Sequence, residues 1–275
     1  MTKVLFIAGM PHSGTTILSQ VLGEVEGLTG IGESFYLWAA HERGWPCGCG
    51  RLLAECPWWS AVLTDIEGLR PDRYYMSLLQ LRREPPAAYR RALARTVHAV
   101  AERAGADVIV EASKSPTYGR ILGSLPGVDL HVVHLVRTPE AVANSWSRFE
   151  GEAGRPARHA AVWMSWNTTI ELLWGRRQGR YLRVRYEDFA RAPRQTAAAV
   201  VRFAGGDPET LPFLSDDTVR LGVGHTVAGN PVRFRSGDVE IRLDDAWRSA
   251  YPPRDRRILE ALTWPLRARY GYHGT

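Results

Sequence analysis

Residues able to hold an anion or move a proton recur along this 275-residue chain, each set just after a short apolar run. The first is Gly9-Met10-Pro11-His12-Ser13-Gly14-Thr15-Thr16, a glycine-bounded loop with P-loop spacing, G-x-x-x-x-G followed by hydroxyl residues. A turn of this kind entering a helix leaves the first backbone N–H groups unpaired and aimed at one point. The positive end of the helix dipole lies behind them, so a phosphate or sulfate fits there. Where a nucleotide triphosphatase carries its lysine, this loop has Thr15, which argues against ATP or GTP hydrolysis and for a ligand with a different anionic group.

Further candidates follow at intervals. Glu33, in Gly32-Glu33-Ser34, reads either as a base or as an acid in the first turn of the next element. Lys114 stands just past an apolar run that ends in Val110, with Glu111 between them. In Arg137-Thr138-Pro139-Glu140, Thr138 is a natural N-cap, Pro139 a natural first helical residue, and Glu140 complements the dipole. Ser145 lies about two turns beyond Thr138, which brings a hydroxyl over Arg137 and makes a second anion site. Tyr186, in Arg185-Tyr186-Glu187-Asp188, and the loop Gly229-Asn230-Pro231-Val232-Arg233 complete the set.

Elements must deliver these residues to one place. Residues 4–7, 28–31, 107–110, 131–136 and 181–185 read as short strands rich in β-branched and aromatic residues, and helical spacing separates them. That alternation predicts an α/β fold with P-loop-like, three-layer architecture: a central parallel sheet flanked by helices, plus a helical cap. The carboxyl ends of neighbouring parallel strands lie side by side, so Glu33 and Lys114 should reach the rim that holds the 9–16 loop. Residues 87–104 form an amphipathic helix with Leu93, Val97, Val100 and Ala101 on one face. Trp163, Trp166, Ile170 and Leu173 recur at core spacing, while His131 and His134 read as strand residues fixed by packing.

The whole chain, 1–275, is expected to be one domain, with a cap or insert over about 35–105 and a C-terminal segment over about 206–275 that closes over the ligand. A net charge of +6, carried mostly by arginine, suits a small polyanion. No dense basic run with interleaved aromatics points to nucleic acid. No apolar run is long enough for a membrane span or a signal peptide, so the expected location is cytoplasmic. Tyr36, Trp38, Trp45, Trp58 and Trp59 crowd the segment after Glu33 and are candidates to line an acceptor pocket. Cys47, Cys49 and Cys56 fall within ten residues. Zinc would need a fourth ligand such as His41 or a second chain, so reduced thiols in a glycine-shaped loop and no metal are the expectation.

Four of these motifs, spread from about residue 4 to 237, resemble the sulfotransferases that use 3′-phosphoadenosine-5′-phosphosulfate (PAPS). Pro11-His12-Ser13-Gly14-Thr15-Thr16 is similar to the family's 5′-phosphosulfate loop, with His12 where the family usually carries lysine or arginine. Val136-Arg137-Thr138-Pro139 with Ser145 resembles its 3′-phosphate motif, including the eight-residue step from arginine to serine. Tyr186 matches the tyrosine that meets the nucleotide, and Asn230 with Arg233 the late loop over the 3′-phosphate. Glu33 stands 21 residues after His12, the separation at which protein-tyrosine sulfotransferases place the glutamate of a Gly-Glu pair.

The resemblance implies transfer of a sulfuryl group from PAPS to a hydroxyl of a small molecule, natural product, carbohydrate or peptide. PAP would be the product, and no metal would be needed. Glu33 would be the base, Lys114 would serve the leaving phosphate, and His12 is next in line as base. The rival readings are a P-loop small-molecule kinase, with Glu111 as its strand-end acid, and an inactive nucleotide-binding homologue.

Overall fold

The five runs read as strands form one sheet: β1 (Thr2–Gly9), β2 (Leu28–Gly32), β3 (Val108–Lys114), β4 (Val128–Val136) and β5 (Tyr181–Arg185). The computed structural model that shows them describes residues 1–69, 77–151 and 154–272. The strand order is β2-β3-β1-β4-β5, and every neighbouring pair is parallel. Parallel strands are buried on both faces, which is why the body of β1 and the first three residues of β3 read as continuous apolar runs and not as alternating ones.

Alternate side chains of β1 feed two cores. Val4, Phe6 and Ala8 pack with Leu93, Val97 and Val100 of the helix Ala87–Ala104, with Tyr118 and Ile121 of Pro116–Leu122, and with Ile170 and Trp174 of Pro156–Trp174. Leu5 and Ile7 pack with Leu18, Val21 and Leu22 of Thr15–Gly23 and with Ala197, Val200 and Val201 of Pro193–Ala204. The result is the three-layer α/β arrangement expected from the sequence. Ala87–Ala104 also has the expected bounds.

Pro156–Trp174 is rotated slightly from its expected face. Trp163 and Ile170 are buried and Trp166 is half-buried, but Asn167 and Trp174, not Leu173, complete the buried stripe. Asn167 is there because a strand residue needs it: the side chain of His134 pairs with Asn167 Oδ1 at 2.8 Å and with the Tyr181 hydroxyl at 2.8 Å. Burial pushes the His134 imidazole down to about 3. It is therefore a neutral structural group near pH 7.

Residues 35–69 and 77–105 do not build a separate core. Phe35, Leu37, Trp38, Leu53 and Trp59 pack into the same apolar cluster as Val4 and Phe6. Residues 70–76, part of the 35–105 stretch, and residues 273–275 of the C-terminal segment lie outside the described residues.

The C-terminal segment contains a two-stranded antiparallel pair that the sequence reading lacks, β6 (Thr218–Leu221) and β7 (Gly237–Glu240). Between them the chain returns to the main sheet. Val227 bridges Gly32 in parallel, donating to the Ile31 carbonyl at 2.8 Å and accepting from the Glu33 N–H at 2.7 Å. Gly32 has φ +74°, and a Cβ there would stand 2.5 Å from the Val227 carbonyl oxygen, so only glycine permits this closure at the end of β2.

Candidate active site

Each main-sheet strand ends in a residue able to meet an anion or a proton. Across the rim, in sheet order, stand Glu33 after β2, Lys114 at the end of β3, the 11–16 loop after β1, Arg137 after β4 and Tyr186 after β5. All of these line one cleft of ≈ 610 Å³, a volume within the range of ordinary small-molecule sites. The sheet order divides the rim into a Glu33–Lys114 side and an Arg137 side, with the loop between them.

The loop enters the helix Thr15–Gly23 through Gly14 at φ +87° with no side-chain cap, so the first N–H groups of that helix have no intrahelical carbonyl to meet. A Cβ at Gly14 would lie 2.5 Å from the Tyr186 ring, so the missing side chain lets Tyr186 lie directly on the loop. The Arg137 guanidinium sits over the same ring, 4.3 Å from its centroid. Pro11, His12, Gly14, Thr15 and Thr16 line the cleft, whereas Ser13 is buried beneath the loop and does not.

On one side of the loop, Lys114 forms an ion pair with Glu33 Oε1, both side chains at most 10% exposed. Gly229 closes over the same carboxylate, since a Cβ there would come within 3.1 Å of Glu33 Oε1. The turn holding Glu33 is fixed from behind by Glu111, which accepts hydrogen bonds from the Ser34 N–H and hydroxyl and from the Ser113 N–H, each at 3.0 Å. Glu111 is fully buried and does not line the cleft. It is a positioning group, not the strand-end acid of a kinase.

Burial pushes the Glu111 carboxyl up to about 7, against the hydrogen bonds from Ser113 and Ser34 that favour its charged form. The folded state therefore keeps a proton that the unfolded chain releases above its ordinary value of 4.5. The stability this contributes is complete below 4.5 and is lost as pH rises through about 7. Glu111→Gln cannot titrate there. The difference in unfolding free energy between the two proteins is expected to change across this window with a slope approaching about 1.4 kcal/mol per pH unit. Denaturant unfolding at several pH values measures it, and a pH-independent difference contradicts it.

On the other side of the loop, Arg137 is 5% exposed. It donates to the His12 carbonyl at 2.9 Å and to Asp244 Oδ2 at 2.9 Å. Ser145 Oγ pairs with His12 Nδ1 at 3.2 Å, and the His12 ring stacks on Phe149 with centroids 6.0 Å apart. His12, with φ 70°, thus sets its side chain beside Ser145 and Phe149. That contact suits a role on the anion side of the loop. His12, Lys114 and Ala228 are the described non-glycine residues with positive φ, and all three belong to this rim or the loop over it, where backbone strain commonly concentrates.

Two expectations from sequence need correction. Arg233 does not line the cleft: its guanidinium donates to the carbonyls of Pro46 at 2.9 Å and Thr226 at 3.2 Å and is buried. The turn Pro231–Phe234, capped by Asn230 on the Val232 N–H, rotates Arg233 inward and leaves Arg235 and Asn230 on the cleft. Of the five aromatic residues expected to surround an acceptor, Tyr36 alone lines the cleft. Trp38 and Trp59 are core, Trp45 packs near Tyr36, and Trp58 stacks on His225.

Arg148, Phe149, Arg242 and Asp244 also line the cleft and were missed. Arg148 had a signal, since it follows Ser145 by three residues on the same helix.

The geometry agrees with what comparison with known proteins finds. A family model described as "Sulfotransferase family" matches residues 5–209. Carbohydrate sulfotransferase 3 of Homo sapiens is 29% identical over 172 residues, 54% of this chain and 34% of that protein. The chain thus spans about a third of the length of that relative. Among solved structures, the sulfotransferase domain of the Synechococcus PCC 7002 olefin synthase superposes with a TM-score of 0.59 at 23% identity, covering 94% of each chain. The sulfotransferase domain of the curacin biosynthetic pathway gives 0.55 at 18% identity, covering 96% of this chain and 98% of that one. At these identities the two structures show a shared fold.

Proposed function

The chain belongs to the sulfotransferase family, and on that premise we propose that it moves a sulfuryl group from PAPS to an acceptor hydroxyl, releasing PAP. The observation that carries this reading is the division of the rim. A carboxylate paired with a lysine stands on one side of an anion-binding loop, and an arginine with a serine hydroxyl stands on the other.

The 5′-phosphosulfate of the donor lies against the first N–H groups of the helix Thr15–Gly23, with Arg137 and Ser145 on the 3′-phosphate and Tyr186 against the nucleotide. Arg235, not Arg233, is the late-loop cation available to that end, supported by its place on the cleft. Glu33 takes the proton of the acceptor hydroxyl as the new O–S bond forms. The S–O bond to the 5′-phosphate breaks, its electron pair stays on the phosphate oxygen, and Lys114 with the loop N–H groups balances the charge that develops there. The Glu33–Lys114 ion pair keeps base and cation together at the point where one group is bonded and the other leaves.

The acceptor is a hydroxyl of a small molecule, natural product, carbohydrate or peptide, and the likeness to a carbohydrate sulfotransferase puts sugars first among those to try. A kinase reading is disfavoured by Thr15 in place of the phosphate-binding lysine and by the burial of Glu111. No helix among the described residues is long and apolar enough to cross a membrane. A cytoplasmic location is part of the proposal. The test is formation of PAP and sulfated product from PAPS with sugars, phenols and tyrosine peptides as acceptors. Binding of PAP without turnover of any of them would favour the inactive homologue.

A further inference from the structure

Away from the cleft, the loop between the helices Leu37–Glu42 and Pro57–Asp65 brings three thiols together, and a residue from far along the chain joins them. The ligand atoms of Cys47, Cys49, Cys56 and His225 all lie within 4.8 Å of one another. His225 Nδ1 is 3.2 Å from Cys56 Sγ and 3.8 Å from Cys47 Sγ. A tetrahedral zinc with Zn–S near 2.3 Å and Zn–N near 2.0–2.1 Å sets its sulfur and nitrogen ligands about 3.6 Å apart, between the two observed values. His41, the fourth ligand considered from sequence, is exposed and is not part of the cluster.

We propose that Cys47, Cys49, Cys56 and His225 bind one zinc ion as a structural Cys₃His site. None of the four lines the cleft, and four protein ligands leave no open coordination position, so the site is structural and not catalytic. Soft thiolates with one imidazole in a tetrahedral set select zinc over magnesium or calcium.

The surroundings fit such a site. The Trp59 indole N–H donates to the His225 carbonyl at 2.6 Å, and the Trp58 ring lies parallel to the imidazole, which fixes the ligand's backbone and plane. Gly48 donates to the Thr226 carbonyl at 3.0 Å. A Cβ on Gly48 would stand 2.6 Å from Thr226 Oγ1, so glycine lets the two segments meet. Three thiolates and Zn²⁺ leave one net negative charge, and the thiol protons are released on binding. The buried Arg233, whose guanidinium is held by the carbonyls of Pro46 and Thr226, immediately before Cys47 and after His225, supplies the compensating charge.

The ion would staple the 47–56 loop to the segment whose next residues, Thr226 and Val227, run along the end of β2. Val227 accepts the Glu33 N–H. The site therefore sits two residues along the chain from a backbone contact of the candidate base. It does not depend on the sulfotransfer reading, since it rests on the thiol cluster alone.

Protein purified under reducing conditions without chelator is expected to carry about one zinc per chain by elemental analysis. Replacing zinc with cobalt(II) is expected to give the visible absorption of a tetrahedral ion with thiolate charge-transfer bands. Cys49→Ser, at the half-buried thiol, and His225→Ala are expected to lose most of the metal. His225→Cys is expected to keep one ion per chain with stronger charge transfer. If the variants do not fold, the wild-type protein decides alone: no zinc as purified and no tetrahedral cobalt spectrum after reconstitution overturns the proposal. Full retention of zinc by folded His225→Ala with an unchanged cobalt spectrum overturns it too.

Discussion

Replacing Glu33 by glutamine is expected to lower the rate of sulfuryl transfer by about 10²-fold or more, the scale of general base catalysis, while binding of PAP stays close to wild type. The expectation rests on where Glu33 is held. Its carboxylate faces the cleft beside the anion-binding loop, paired with Lys114 and covered by Gly229. Its backbone is fixed by Val227, and Ser34 next to it is fixed by Glu111. Glutamine keeps the shape and the hydrogen-bonding reach but cannot accept a proton.

The effect should shrink as acceptors become more acidic. A phenol that already ionises near working pH needs little help, whereas an alcohol needs it fully. Lys114→Ala should instead slow every acceptor by a similar factor and weaken donor binding, because it removes charge from the leaving group. It also strips Glu33 of its cation, so the dependence on acceptor pKa separates the two roles better than either rate alone. Equal slowing of all phenols by Glu33→Gln would make Glu33 a structural residue.

Arg137→Ala is expected to weaken binding of the 3′,5′-diphosphate about 10- to 100-fold, the worth of a lost hydrogen bond to a charged group at about 1.5–3 kcal/mol. Binding of the 5′-monophosphate should change far less. Arg137 also holds the His12 carbonyl and stacks on Tyr186, so some loss common to both nucleotides is built in. The ratio between the two nucleotides isolates the 3′-phosphate, since only the diphosphate presents it to Arg137 and Ser145. Calorimetry with both ligands reads that ratio, and equal losses would remove Arg137 from the 3′-phosphate site.

Local pattern made much of this protein legible in sequence. Short runs rich in β-branched and aromatic residues gave all five main strands, and even the edge strand β5 (Tyr181–Arg185), with two arginines among its five residues, was found to the residue. Parallel alignment then dictates that whatever follows each strand meets on one rim, which is how Glu33, Lys114 and Arg137 could be brought together without coordinates.

What failed depended on contacts between distant segments or on the rotation of a single turn. The choice between Arg233 and Arg235 is set by the turn Pro231–Phe234, which no periodicity reports. The role of Glu111 depends on Ser34, 77 residues earlier. The fourth member of the cysteine cluster lies 169 residues beyond Cys56, outside any spacing rule for zinc ligands. The strands β6 and β7 are four residues each, too short for an alternating pattern to show.

The most direct measurement incubates the protein with PAPS and a series of hydroxyl acceptors, without added magnesium, and follows PAP and sulfated acceptor together. The account predicts that at least one acceptor class yields PAP and sulfated product one for one, and that Glu33→Gln lowers both in parallel. PAP binding with no turnover of any acceptor would contradict it, as would magnesium-dependent consumption of ATP with a phosphorylated product.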